Sequence, residues 1–234
     1  MVVKLLGAQD IASASFALIM IAMLAATVLL LAGSAWVQRR WKLPVALSGI
    51  VTLASAAQYL IANDIWLSTG HMTMIHRYVG WFLTLPLQVV IVYFFVRAYA
   101  QAPIGVFWRL LVAAVLLVLS RFMGEVNLMH PTLGFLISLA MWLYILGEVF
   151  FGKLSEQTSR YGSETAQRGY FWLRLIMTVG WAIYPLCYFI ASFTGPVEMR
   201  YLVTTYNFAD LINQIAFGLT ILTVAMTEAG TSSS

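Results

Sequence analysis

The amino-acid sequence predicts an all-α membrane protein, one domain of seven spanning helices filling residues 1–234, on three observations. The chain is 62% hydrophobic and only 9% charged, with a mean hydropathy of +0.87. A soluble domain carries about 25% charged residues to cover its water-facing surface, whereas a bilayer lets apolar side chains face outward at no cost. The apolar residues gather into seven runs, each near the roughly 20 residues that cross the hydrocarbon layer. The lysines and arginines stand at the ends of those runs and form no single stripe. The net charge of +4 therefore marks membrane boundaries, not a nucleic-acid surface.

The first run, 10–37, holds an apolar stretch from Ile11 to Val37. That is far longer than the roughly 7–15 residues of a cleavable signal, so it reads as the first span. The second, 43–67, starts at Pro44, in the first helical turn where proline is tolerated. The third, 73–98, contains Pro86; the fourth, 104–123, follows Pro103; the fifth, 130–152, opens on Pro131. The polar stretch 153–168 reads as the longest inner loop. The sixth run, 169–193, contains Pro185, and Gly195-Pro196 breaks the chain before the seventh, 200–228. Pro86 and Pro185 are expected to kink their helices, since neighbouring helices can satisfy the freed carbonyls. Residues 230–234 form a short tail.

Charge placement orients the bundle. Arg39, Arg40, Lys42, Arg97, Arg109, Lys153, Arg160, Arg168 and Arg174 fall on the side of loops 1–2, 3–4 and 5–6, against Lys4, Arg77, Arg121 and Arg200 opposite. The positive-inside rule puts the N-terminus outside and the C-terminus in the cytoplasm. The single cysteine, Cys187, excludes an internal disulfide and reads as a small apolar helix residue. There is no nucleophile with a paired base, no phosphate-binding glycine loop and no metal-spaced His/Cys set, so the chain reads as no enzyme. His71, His76 and His130 sit near outer helix ends, and Glu125 and Glu148 read as structural carboxylates.

Polar groups inside spans are expensive and therefore informative. The third span carries Arg77, Thr84 and Gln88; the second a lone Gln58; the seventh Asn207, Asp210, Asn213 and Gln214. Helical spacing places Arg77, Trp81, Thr84 and Gln88 on one face, and Asp210 with Gln214 on another. Arg77 and Asp210 can form a neutral, charge-assisted pair. Trp81, Trp142, Tyr144, Trp181, Tyr184 and Tyr206 fall in segments that would enclose a central cavity.

The run Arg77-Tyr78-Val79-Gly80-Trp81-Phe82-Leu83-Thr84-Leu85-Pro86-Leu87 resembles the third-helix motif of microbial rhodopsins. Gly180 to Pro185 resembles their sixth-helix retinal-packing motif, and Tyr206 to Asn213 their seventh-helix motif, whose next residue is normally the retinal lysine. Met123-Gly124-Glu125 and Trp142-Leu143-Tyr144 add the fourth and fifth helices. The likeness is nearest to proteorhodopsins and covers nearly the whole chain. It implies a retinal-pocket set of Trp81, Thr84, Gln88, Trp142, Tyr144, Trp181, Tyr184, Pro185, Tyr206, Asp210 and Gln214.

The departures carry the functional expectation. In the family retinal joins a lysine as a Schiff base, but the matching residue here is Gln214, whose amide nitrogen is no nucleophilic amine. The three lysines, Lys4, Lys42 and Lys153, stand at helix ends or in loops. The family's proton-acceptor aspartate is Gly80, its proton-reloading carboxylate Ile91, and the proteorhodopsin histidine beside the acceptor Gln58. These losses balance: deleting lysine and acceptor together leaves Arg77 and Asp210 as a neutral pair and no buried charge unpaired. Gln88 stands where proteorhodopsins tune colour and resembles the blue-absorbing type, a role without meaning in the absence of a Schiff base. Gly80 and the missing lysine stem are expected to enlarge the cavity.

The expectation is a rhodopsin-like protein without a covalent cofactor, holding retinal, a carotenoid fragment or another apolar ligand non-covalently. The alternatives are a structural or regulatory subunit and, third, a light-driven ion pump or channel. Implied partners are membrane lipid and further copies in a pentamer or hexamer, or a retinal-binding paralogue in a hetero-oligomer. The implied location is the cell inner (plasma) membrane.

Overall fold

The computed structural model describes residues 11–71, 74–193 and 198–231; Lys4 and the Gly195-Pro196 break lie outside the described residues. Ten α-helices follow in order: α1 (Ile11–Trp36), α2 (Arg39–Thr69), α3 (Met74–Arg97), α4 (Ile104–Glu125), α5 (Pro131–Phe151), α6 (Lys153–Tyr161), α7 (Glu164–Leu175), α8 (Trp181–Phe193), α9 (Met199–Leu211) and α10 (Phe217–Thr231). Single π turns, Ile176–Gly180 and Ile212–Ala216, join α7 to α8 and α9 to α10. Together they make seven spans long and apolar enough to cross a membrane.

Each span is apolar on both its inner and its outer face. Helix α1 buries Phe16, Ile19, Met23 and Leu30 while Leu18, Ile21, Leu24 and Val28 stay exposed. A helix hydrophobic all round needs apolar surroundings on every side, and lipid supplies the outer one. Sequential spans pack as neighbours, α1 on α2, α2 on α3, α3 on α4 and α4 on α5; α9 and α10 close the ring against α1 and α7.

Helices α4 and α5 approach until backbone touches backbone. A Cβ on Gly134 would sit 2.5 Å from the Ser120 carbonyl oxygen and 3.1 Å from the Gly124 Cα. Neither neighbour can rotate away, so Gly134→Leu is expected to lower stability by about 1–3 kcal/mol. Gly147, on the same helix, has nothing within 4 Å of its Cβ position, and Gly147→Ala should raise the melting temperature in detergent slightly, by the better helix propensity of alanine.

Seven spans are expected and seven are found among the described residues, but the 153–168 stretch is not a loop. Helix α6 continues α5 past Gly152, and α7 starts at Glu164, leaving Gly162 and Ser163 between them. Polar residues here hold a helix without a bilayer. Glu156 pairs with Lys153 at 2.8 Å and Arg160 at 3.1 Å, Arg168 pairs with Glu164, and Ser163 Oγ caps α7 by accepting from the Ala166 N–H at 3.0 Å. Pro86 and Pro185 both lie inside continuous α-helix.

The apolar core has two parts. A large cluster around Trp41, Tyr93, Phe95, Tyr170, Ile91 and Phe217 fills the half of the bundle nearer the α1–α2 turn. A smaller one, Phe16, Ile19, Met23, Tyr59, Trp66 and Val203, seals the other half between α1, α2 and α9.

Candidate functional site

Between those clusters α2, α3 and α9 converge on a buried carboxylate. Asp210 Oδ2 accepts from Tyr59 Oη at 2.6 Å and Oδ1 from Tyr184 Oη at 2.6 Å. Arg77 Nη1 reaches Oδ2 at 3.4 Å, with the two side chains only 3% and 5% exposed. Sequence spacing left open whether these two charges meet; they do, directly. Arg77 also donates to the Val203 carbonyl at 3.3 Å and to Asn207 Oδ1, and its guanidinium lies 5.4 Å from the Tyr206 ring centre. Asn207 in turn donates to Ser15 Oγ at 2.8 Å, tying α1 into the same network. The pair is electrically neutral and its polar atoms are largely satisfied, the condition under which buried charges persist.

The π turn of the seventh span shapes the neighbouring wall. A π turn lets a backbone carbonyl face sideways, out of the helical ladder; here Asn213 O is taken by Gln88 Nε2 at 2.7 Å. Asn213 Nδ2 donates to the Gly180 carbonyl at 2.9 Å and to Tyr184 Oη at 3.1 Å, locking the two π turns together. Gln214 Oε1 accepts from the Ser55 hydroxyl. Ser55, Gln58, Gly80, Thr84, Asp210 and Gln214 thus surround a polar chamber of about 10 Å³, the space of roughly one water.

The space at Gly80 is filled. A Cβ there would lie 1.8 Å from Gln58 Oε1 and 2.7 Å from its Cδ, because the Gln58 side chain crosses to donate Nε2 to the His76 carbonyl at 2.6 Å. The expected enlargement is therefore corrected: the glycine opens no room, since the glutamine of the next helix occupies it.

A second, apolar cavity of about 90 Å³ lies on the far side of Trp81, whose ring walls both chambers. Tyr184 meets Trp81 edge-on at 5.1 Å and stacks on Tyr206 at 5.8 Å, so three aromatic residues divide the polar chamber from the apolar one. Trp142, Trp181 and Pro185 line the apolar side, with Trp142 Nε1 donating to the Met177 carbonyl at 3.0 Å.

Two expected pocket residues are elsewhere. Tyr144 is 42% exposed and lines an outward groove with Trp108 and Met141. It follows Trp142 by two residues, about 200° around a helix, so the two cannot face one cavity. Gln88 is buried but walls neither chamber, its amide being engaged by the π turn. The remaining expected residues, Trp81, Thr84, Trp142, Trp181, Tyr184, Pro185, Tyr206, Asp210 and Gln214, line one chamber or the other.

Sequence reasoning missed Ser55, Tyr59 and Arg121. Ser55 and Tyr59 are one turn apart and flank Gln58, a spacing that would have put all three near one face. Arg121 passed as a boundary charge, although its side chain walls the apolar cavity. Neither chamber wall carries a lysine, and Lys42 and Lys153 are exposed at helix starts.

Comparison with known proteins agrees with the geometry. Residues 10–228 match the family model described as bacteriorhodopsin-like protein. The chain is 34% identical over 225 residues to the blue-light absorbing proteorhodopsin of Gamma-proteobacterium Hot 75m4, covering 95% of this chain and 89% of that protein. The crystal structure of blue light-absorbing proteorhodopsin from Med12 superposes with a TM-score of 0.80 at 33% identity, covering 94% of this chain and 100% of that one. Thermophilic rhodopsin shares the fold with a TM-score of 0.86, over 96% of each chain, at 23% identity.

Proposed function

The chain belongs to the bacteriorhodopsin-like family, and from that premise we propose that it is a non-pumping member that forms no covalent retinal Schiff base and holds an apolar ligand by packing alone. It is a multi-pass protein of the inner membrane, which we orient with the N-terminus outside. We assign it no catalysed reaction.

The observation that carries this reading is Gln214. Its carboxamide takes the Ser55 hydroxyl in a polar chamber of about 10 Å³, where the family's motif would end on a lysine. An amide nitrogen, its lone pair delocalised, does not condense with an aldehyde. The route a transported proton would need supports the same reading. Gly80 has no side chain to accept a proton, and Ile91, fully buried in the large apolar cluster, has an aliphatic side chain that cannot carry one. With Arg77 and Asp210 already neutralising each other, no further buried carboxylate among the described residues is left to balance a protonated imine.

The test is reconstitution of purified protein with all-trans-retinal in the dark. We expect no red-shifted band that survives acid denaturation. Illuminated vesicles should show no change in external pH. An acid-stable adduct, or a light-driven pH change in the unaltered protein, would sink the reading.

A further inference from the structure

Resting on the reading that the ligand is held without a covalent bond, we propose that the apolar cavity takes a compact apolar molecule bearing one neutral oxygen, a ketone, aldehyde or hydroxyl, that accepts a hydrogen bond from Arg121. The wall consists of rings and aliphatic side chains, among them Trp81, Leu85, Leu117 and Trp142, with one charged residue, Arg121, one turn before Glu125 at the end of α4. Its side chain is 15% exposed and sits over Tyr188, Cζ 4.0 Å from the ring centre. Nη2 pairs with Glu125 Oε2 at 2.9 Å. Nη1 is buried without a hydrogen-bond partner. Stacking on a ring does not satisfy it, because guanidinium N–H bonds lie in the plane of the group.

A second donor on the same wall is also unmet. Trp181 Nε1 is buried with no partner, whereas the Nε1 of neighbouring Trp142 has one. Buried donors are seldom left unpaired, and one that is asks for an absent partner. Both unmet groups here are donors, so what the wall lacks is an acceptor. The polar chamber shows no such one-sided deficit: it leaves one acceptor, Gln58 Oε1, and one donor, Arg77 Nε, unpaired. With two unmet donors on the apolar wall, and room for only about one water in the polar chamber, the ligand's oxygen belongs at the Arg121 wall, away from Gln214.

Charge and size narrow the class. Glu125 already balances Arg121, so a carboxylate would bury a negative charge with nothing to offset it; a neutral oxygen carries no such penalty. The cavity, about 90 Å³, is small beside the roughly 150 Å³ that admits benzene. A compact molecule is implied, with the walls parting where Phe135 on α5 stacks on Tyr188 of α8, ring centres 4.9 Å apart.

The test measures the change in tryptophan fluorescence in detergent with three compact probes on one six-membered ring: cyclohexanone, cyclohexane and cyclohexanecarboxylate. The ketone should bind about tenfold tighter than the hydrocarbon, the worth of one hydrogen bond to a charged donor. Arg121→Met should erase that preference by weakening the ketone alone, and Trp181→Phe should reduce it less. Glu125→Gln, which frees the guanidinium's charge, should turn preference toward the carboxylate. The proposal is overturned if the unaltered protein binds the hydrocarbon as well as the ketone, or the carboxylate best. It is overturned equally if no probe binds, or if Trp181→Phe and not Arg121→Met removes the preference. An acid-stable retinal adduct would instead strike the non-covalent reading and leave this oxygen preference standing.

Discussion

Asp210→Asn should cost the folded protein about 3–5 kcal/mol, the loss expected when one member of a buried ion pair is removed and the other is left uncompensated. The stranded partner would be Arg77, whose side chain is 3% exposed. Its remaining bonds, to the Val203 carbonyl and Asn207 Oδ1, supply acceptors but no opposite charge. Asp210 also takes two phenol hydrogen bonds at 2.6 Å, from Tyr59 and Tyr184. An asparagine side chain can accept one of these, but its NH2 turns toward the other oxygen, so the network loses a bond along with the charge. Arg77→Gln should be destabilising for the mirror-image reason. The double variant should lose clearly less than the sum, because it buries no unpaired charge. Thermal melting of the four proteins in one detergent decides this. Additive losses would mean that the pair, despite its 3.4 Å separation, is not coupled.

That pair shows how far the sequence could be read. An arginine and an aspartate inside apolar runs are costly enough that each must find a partner, and only one of each stood in suitable segments of the third and seventh spans. The spans were legible for the same reason: the fourth, expected at 104–123, runs Ile104–Glu125. Hydropathy locates the bilayer, however, and not the helix. Helix α6 was therefore invisible to it, being held by pairs such as Glu156 with Arg160 at 3.1 Å. The π turns left no trace in composition, since a turn of this kind depends on who takes the freed carbonyl, here Gln88 from another span. Tyr144 was misplaced through counting aromatics by helix and not by face. The filling of Gly80 by Gln58 joins residues 22 positions apart, and no local pattern announces it.

That interlock decides which changes would give the protein a pigment. Gln214→Lys alone supplies the amine but also a cation beside Arg77, with Asp210 already shared between Arg77 and two phenols. It should fold poorly, or keep the amine neutral, and give little or no coloured product. Adding Gly80→Asp supplies the missing negative charge, yet the new Cβ would stand 1.8 Å from Gln58 Oε1. Gln58 would have to swing out, giving up its 2.6 Å bond to the His76 carbonyl, at a cost of about 1–3 kcal/mol. The double variant Gly80→Asp/Gln214→Lys should therefore yield about tenfold less pigment than the triple variant carrying Gln58→Ala as well. The measurement is the red-shifted band formed with all-trans-retinal and bleached by hydroxylamine. Equal yields from double and triple would show that Gln58 moves freely and that its crossing to α3 does not guard the site. A colourless triple would place the obstacle in the aromatic wall of Trp81, Tyr184 and Tyr206, which separates the cavity from position 214.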